Sequence, residues 1–301
     1  MNVYSHITSN KIKTYVVIGM FMVFATGFAY VWGKAFTDDF SILALTGFAL
    51  IFSGLMSFGS YYYSDKMILS MSSAHKIKRG DNPRLYKTVE NLCIGSGLPL
   101  PAIYTINDTA LNAFATGRDP NHAVICVTTG LLEKLSNSEL EGVIAHELSH
   151  IGNYDIRLMS IVVILVGVVA LLADIFLRSI WYSGGRKSRN SQASTVFLLV
   201  GIALAIISPL IASLIHLAIS RKREFLADAS AALLTRYPEG LASALEKIGK
   251  DREPLEAANN ATAHLYIANP LIDKRGIHNW FAGLFNTHPP ISERIKILRS
   301  M

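Results

Sequence analysis

The chain has 301 residues, 51% of them apolar, with a mean hydropathy of +0.35, a net charge of +6 and a pI near 9.2. Its apolar residues are bunched into long separate runs, which excludes an ordinary soluble globular protein and points to a multi-pass membrane protein with a soluble part. Nucleic acid is excluded as a partner: no binding motif is present, and the Lys and Arg residues mostly flank the apolar runs, where they suit anionic lipid headgroups.

Residues 14–33 carry no charge and follow Lys11 and Lys13. The length of the run and its lack of a small-residue cleavage site favour an uncleaved anchor over a signal peptide. A second uncharged run, 40–64, lies between Asp38-Asp39 and the basic group Lys66, Lys76, Lys78 and Arg79. Basic flanks and an acidic tip place the N-terminus and residue 66 onward in the cytoplasm. Asp81-Asn82-Pro83 then opens a helix expected to stop near Gly95 or Gly97. Strand-like runs at 102–107, 111–116 and 123–128 predict a small antiparallel sheet. Ser136 and Glu139 form a capping box ahead of the apolar stripe Leu140, Val143, Ile144 and Leu148, so His146 and His150 fall inside a helix.

A third apolar run extends from Leu158 to Asp174 and a fourth from Ser194 to Ile219, interrupted only by His216. Together they read as a second hairpin. The 16 uncharged residues before Asp174 span only about 24 Å, so an Asp174–Arg178 pair at i, i+4 is expected to extend that segment at the far interface. Arg178, Arg186, Lys187 and Arg189 in the connecting loop conflict with an external tip, which leaves a re-entrant hairpin open. Beyond 220 a helix runs through Leu234 and another from Pro238 to Gly249. Residues 251–288 are irregular, and Thr287-His288-Pro289-Pro290 precedes a closing amphipathic helix that contains Arg294.

The fold class expected is mainly α, α+β: four hydrophobic membrane helices in two hairpins, plus a split zincin-type catalytic domain with a small antiparallel sheet. The divisions are a first hairpin at 1–64, the first catalytic part at 65–157, a second hairpin at 158–219 and the second catalytic part at 220–301. Neither soluble stretch easily builds a core alone, so the two are expected to fold as one. Cys93 and Cys126 have no metal-like spacing and read as small buried hydrophobes.

The chemistry lies in His146-Glu147-Leu148-Ser149-His150. Histidines four apart share a helix face and can reach one Zn²⁺, while Glu147 points toward water activated by the ion. Catalytic zinc needs a third protein ligand and an open position. Asp155 is expected to point away, and no third His follows at the spacing of an extended motif, because Asn153 and Ile156 occupy those places. Glu224, in the first turn after the second hairpin, is the better candidate, and both His residues must share its side of the membrane. Asp228, one turn on, is placed to accept the free ring N–H of a liganding His. Glu147 would serve as general base and His288 as a catalytic donor to the oxyanion. One zinc per chain and peptide-bond hydrolysis follow. The alternative is a non-catalytic, zinc-stabilised membrane scaffold or holdase, less favoured because structural zinc is normally closed by four ligands.

The HELSH helix, SRKREFLADASAALL, NAFATG at 112–117, VTTGLLEKL and the closing THPPISERI resemble the HtpX family of membrane-bound zinc endopeptidases, relatives of the CAAX prenyl proteases. The resemblance covers nearly the whole chain. It implies His146, His150 and Glu224 as zinc ligands, Glu147 as the base, and Asn112, Ala113, Phe114, Ala115 and Thr116 as an edge strand that pairs with extended substrate. It also implies quality control of misfolded or damaged membrane proteins from the cytoplasmic face of a bacterial inner membrane, with both termini cytoplasmic. Four apolar runs rather than seven set the chain apart from the prenyl-protease branch.

Overall fold

The computed structural model describes residues 3–36, 39–183, 221–251, 253, 255, 262, 265–267 and 289–301. The first two apolar runs form α1 (Val3–Phe36) and α2 (Asp39–Met71), which pack against each other. Within them His6–Tyr30 and Ser41–Met71 are long and apolar enough to cross a membrane. The third run is part of α6 (Asp155–Ser183), which continues past Asp174 and packs on both α1 and α2. It meets the test for a span only when joined to the preceding helix, from which it is bent by 83°. The fourth run, with His216 and the loop cations Arg186, Lys187 and Arg189, lies outside the described residues. The described residues thus contain two candidate membrane helices, or three with the bent pair, and the fourth one expected falls outside them.

The sheet corrects the sequence expectation: it is mixed, not antiparallel. Its strands are β1 (His75–Lys76), β2 (Ala102–Ile106), β3 (Ala113–Gly117) and β4 (Ala123–Thr128), in the order β1-β2-β4-β3. β2 and β4 run parallel, with Ala102 opposite Val124, whereas β3 and β4 are antiparallel, with Ala113 opposite Val127. β4 is the central strand of this part of the sheet, paired with β2 on one side and, on the other, with β3, which is equally buried although it lies at the sheet's end. To leave room for β4, the chain passes from β2 to the outer edge, lays down β3, and returns through the Pro120–His122 turn. β1 is too short to give a period-2 signal in the sequence.

α3 (Pro83–Ser96) begins as expected, with the Asn82 side chain accepting from Leu85 N–H, and ends at Gly97, whose φ of 70° is the left-handed stop that glycine allows. α4 (Thr129–Lys134) leads to α5 (Asn137–Gly152), which carries the HELSH pentapeptide. The Ser136–Glu139 capping box is formed in both directions, and Lys247 Nζ lies 2.7 Å from Glu139 Oε2, tying α8 (Pro238–Lys250) to the start of α5. α7 (Arg221–Thr235) and α9 (Ile291–Leu298) complete the described elements.

One hydrophobic cluster draws on both soluble stretches, joining Leu85 and Val89 of α3, Ile103, Ile125 and Val127 of the sheet, Leu140, Val143, Ile144 and Leu148 of α5, and Ala231, Leu241 and Leu245 of α7 and α8. α5 and α8 approach so closely that a Cβ on Gly142 would stand 2.6 Å from the Leu241 backbone nitrogen. Backbone cannot swing aside as a side chain can. Gly142→Ala should therefore destabilise the protein by about 1–3 kcal/mol and lower its apparent Tm by roughly 5 °C, readable by thermal denaturation in detergent.

Candidate metal centre

His146 and His150 lie one turn apart on the inner face of α5, and α7 delivers Glu224 opposite them; all three are buried. Each offers one ligand atom, and these atoms lie within 4.8 Å of one another. The two Nε2 atoms are 3.2 Å apart. Glu224 Oε2 is 3.7 Å from His146 Nε2, and its Oε1 is 3.5 Å from His150 Nε2.

The outer nitrogen of each imidazole is held by a carboxylate. Asp228 Oδ1 stands 2.9 Å from His146 Nδ1, and Asp155 Oδ2 stands 3.1 Å from His150 Nδ1. A carboxylate only accepts, so each Nδ1 donates, and in the neutral ring that a metal requires each Nε2 then presents a lone pair to the same point. Two facing lone pairs repel unless a cation lies between them. Donors placed about 2.0–2.1 Å from one tetrahedral ion stand roughly 3.3 Å from each other. The separations of 3.2, 3.5 and 3.7 Å match that spacing, so the donor set fits a metal ion.

Asp155 corrects a second expectation. It does not point away from His150 but beneath it. α5 ends at Gly152, Tyr154 adopts a positive φ of 60°, and the 83° bend brings Asp155 back under the helix it follows. Gly152-Asn153 is the sequence signal for that stop. Arg294 is a further participant whose role was not read from the sequence. Its guanidinium is buried and grips Asp228 with two hydrogen bonds of 2.8 and 2.6 Å, while its Nη1 lies 3.5 Å from Glu224 Oε2. The signal was an arginine on the same face of α9 as Ile291, Ile295 and Leu298, where only a buried partner justifies a charge.

The electrostatics follow from burial and these contacts. Burial opposes charge on Asp228, but the hydrogen bonds from His146 and Arg294 outweigh it and hold the carboxyl below its ordinary range. Glu147, buried on α5, is pushed upward, first by desolvation and further by the charge of Glu224, against the pull of His146, His150 and Arg294. His288 lies outside the described residues.

β3 is the end strand of the sheet and packs beside α5, α6 and α2. Ala113, Phe114, Ala115 and Thr116 are within it, but Asn112 precedes it: its backbone is tied to Thr128, and its side-chain Oδ1 accepts from Ala113 N–H. Part of the outer edge is already used, since Ala113 C=O accepts a 3.0 Å hydrogen bond from Ile267 N–H. Tyr266 seats edge-to-face on Phe114 there, with ring centroids 5.1 Å apart. Thr116 is turned away to pair with Ser160 of α6 at 2.7 Å.

Residues 80–301 match the model of peptidase family M48. The chain is 45% identical to a protein named Protease HtpX homolog from Tropheryma whipplei (strain Twist), over 99% of this chain and 98% of that one. It is 44% identical to a protein of the same name from Dictyoglomus thermophilum, over 99% and 94%. Among solved structures, the crystal structure of S. mikatae Ste24p superposes with a TM-score of 0.50 at 18% identity, covering 95% of this chain and 67% of that one, a likeness of fold.

Proposed function

Because the chain belongs to peptidase family M48 and carries two helices able to cross a membrane, we propose that it is a membrane-anchored, zinc-dependent endopeptidase. In this reading His146, His150 and Glu224 hold the ion, and Glu147 is the general base. The observation that carries it is the pair of Nε2 atoms 3.2 Å apart, each turned inward by a carboxylate on its Nδ1.

A zinc ion held by these three residues would supply Lewis acidity toward a scissile carbonyl and would bring the pKa of water down toward about 7. The rest is done by the chain. Glu147, one residue from His146 on the same helix, accepts a proton from the attacking water and passes it to the departing amide nitrogen. Its raised pKa suits a group that must both take and return that proton. Asp228 and Asp155 keep both imidazoles in one tautomer, and Arg294 keeps Asp228 ionised. His288 is retained as the proposed donor to the oxyanion.

Substrate would add as a strand along β3. Alternate residues of a strand aim their backbone groups the same way, so Ala115 shares the outward orientation of Ala113, whose C=O is taken by Ile267. Backbone pairing is tolerant of sequence, which suits misfolded or damaged membrane proteins that share no motif. The basic flanks of the α1–α2 pair argue for a catalytic part on the cytoplasmic side.

The test is metal analysis of the purified full-length protein together with hydrolysis of casein. About one zinc per chain is expected, with hydrolysis silenced by chelator and restored by added zinc. Undiminished hydrolysis by metal-stripped protein would sink the reading, and bound zinc without any hydrolysis would favour the scaffold instead.

A further inference from the structure

We propose that Asn10, on the first membrane helix, is a positioning residue for the metal centre: it holds Asp155 in place so that Asp155 can hold His150. The inference rests on the reading of His146, His150 and Glu224 as ligands.

α1 turns one stripe toward α6. Asn10, Thr14, Val17 and Phe21 recur at helical spacing and are between 0 and 4% exposed. Val17 and Phe21 pack into a cluster with Leu158, Ile161, Val162 and Leu165, as a membrane helix should against its neighbour. One end of the stripe departs from that pattern. There an amide replaces an aliphatic side chain, and it reaches across 145 residues of sequence to the metal centre. Asn10 Nδ2 donates to Asp155 Oδ1 at 2.7 Å and to the Asn153 carbonyl at 2.9 Å. Both partners are acceptors, so the two N–H bonds of one NH₂ group meet them and the orientation of the amide is fixed. Thr14 Oγ1 donates in turn to the Asn10 carbonyl at 2.9 Å.

Asp155 is thereby shared. One oxygen faces Asn10, with Arg223 Nη1 3.6 Å away, while the other accepts from His150. Asn153 lies in the two-residue link between α5 and α6, so the same amide also secures the backbone that carries Asp155 under His150. A helix that served only as an anchor would pack an aliphatic residue here equally well. An amide with two N–H bonds spent on this carboxylate and this carbonyl acts on the ring beyond them.

Outer partners of liganding histidines typically change metal affinity by about 10–100-fold. The experiment titrates Co²⁺, as a spectroscopic stand-in for zinc, into metal-free full-length protein in detergent. Asn10→Leu is expected to weaken Co²⁺ binding about tenfold and to alter its visible absorption band. Asn10→Asp, which sets carboxylate against carboxylate, should weaken it at least as much. Val17→Ala loosens the same helix contact without touching Asp155; it should lower the Tm but leave Co²⁺ affinity within about twofold of the parent. Asn10→Leu with parental affinity and spectrum overturns the proposal, as does Val17→Ala weakening Co²⁺ as strongly as Asn10→Leu. A separate arm tests the underlying ligand assignment. If His150→Ala binds Co²⁺ as the parent does, the assignment fails and the role of Asn10 falls with it.

Discussion

Replacing Glu147 by Gln is expected to lower kcat/KM for peptide hydrolysis by about 10²–10⁴-fold while metal content is unchanged. The side chains are nearly isosteric, but an amide cannot take a proton from water or return one to a leaving nitrogen. A second consequence concerns stability. Burial raises the folded-state pKa of Glu147 above its unfolded value, so the neutral carboxyl is favoured at low pH and that advantage is lost as pH rises through the folded pKa. Above the unfolded-state pKa the metal-free parent therefore carries a stability penalty for burying this carboxyl, and the Gln variant, which does not titrate, carries none. The variant should be inactive yet melt no lower than the parent. Casein hydrolysis and thermal denaturation on the same preparation check both parts, and turnover within tenfold of the parent would remove Glu147 from the mechanism.

Arg294→Ala is expected to have the largest effect on stability. The guanidinium is buried between Asp228, Glu224 and the Ile267 carbonyl, and its removal leaves two buried carboxylates without the cation they share. Breaking a buried ion pair from one side costs about 3–5 kcal/mol, which corresponds to a fall in Tm on the order of 10 °C for a chain of this size. Asp228 would then be pushed toward protonation and lose its hold on His146, so metal affinity should fall as well, by about 10–100-fold. Arg294→Lys keeps the charge but lacks the planar fork that meets both oxygens of Asp228, and should lie between alanine and the parent. A metal-free Tm within about 2 °C of the parent for Arg294→Ala would show that the pair is not needed to hold the fold.

The parts of the site that were legible in the sequence depend on local rules. Helical period puts His146 and His150 on one face, the Ser136–Glu139 box starts their helix, and Asp228 follows Glu224 by one turn whatever the fold around them. What escaped depends on where the chain goes next. Five positions after His150, Asp155 is expected from spacing alone to point away; the stop at Gly152 and the positive φ at Tyr154 reverse that placement. The parallel pairing of β2 with β4 was invisible because three short runs in succession do not reveal which one lies in the middle. Burial does not separate them either, because β3 at the end and β4 in the middle are both buried at every position; only the pairing itself does. Asn10 reads from sequence as a polar residue just ahead of an apolar run, and only the packing of α1 on α6 gives it a partner.

The link between α5 and α6 has a consequence for what can be cut. α6 lies along α1 and α2, and α5 departs from it at 83° after only Asn153 and Tyr154. So short a joint has no slack, and it fixes the height of the two histidines relative to the bundle that enters the lipid. On the proposed reading of the site, the scissile bond would have to come down to that level, because the joint keeps the histidines from rising to meet it. A site so placed would hold off tightly folded domains by their own girth, while a slack strand emerging beside the headgroups would arrive already at the right depth.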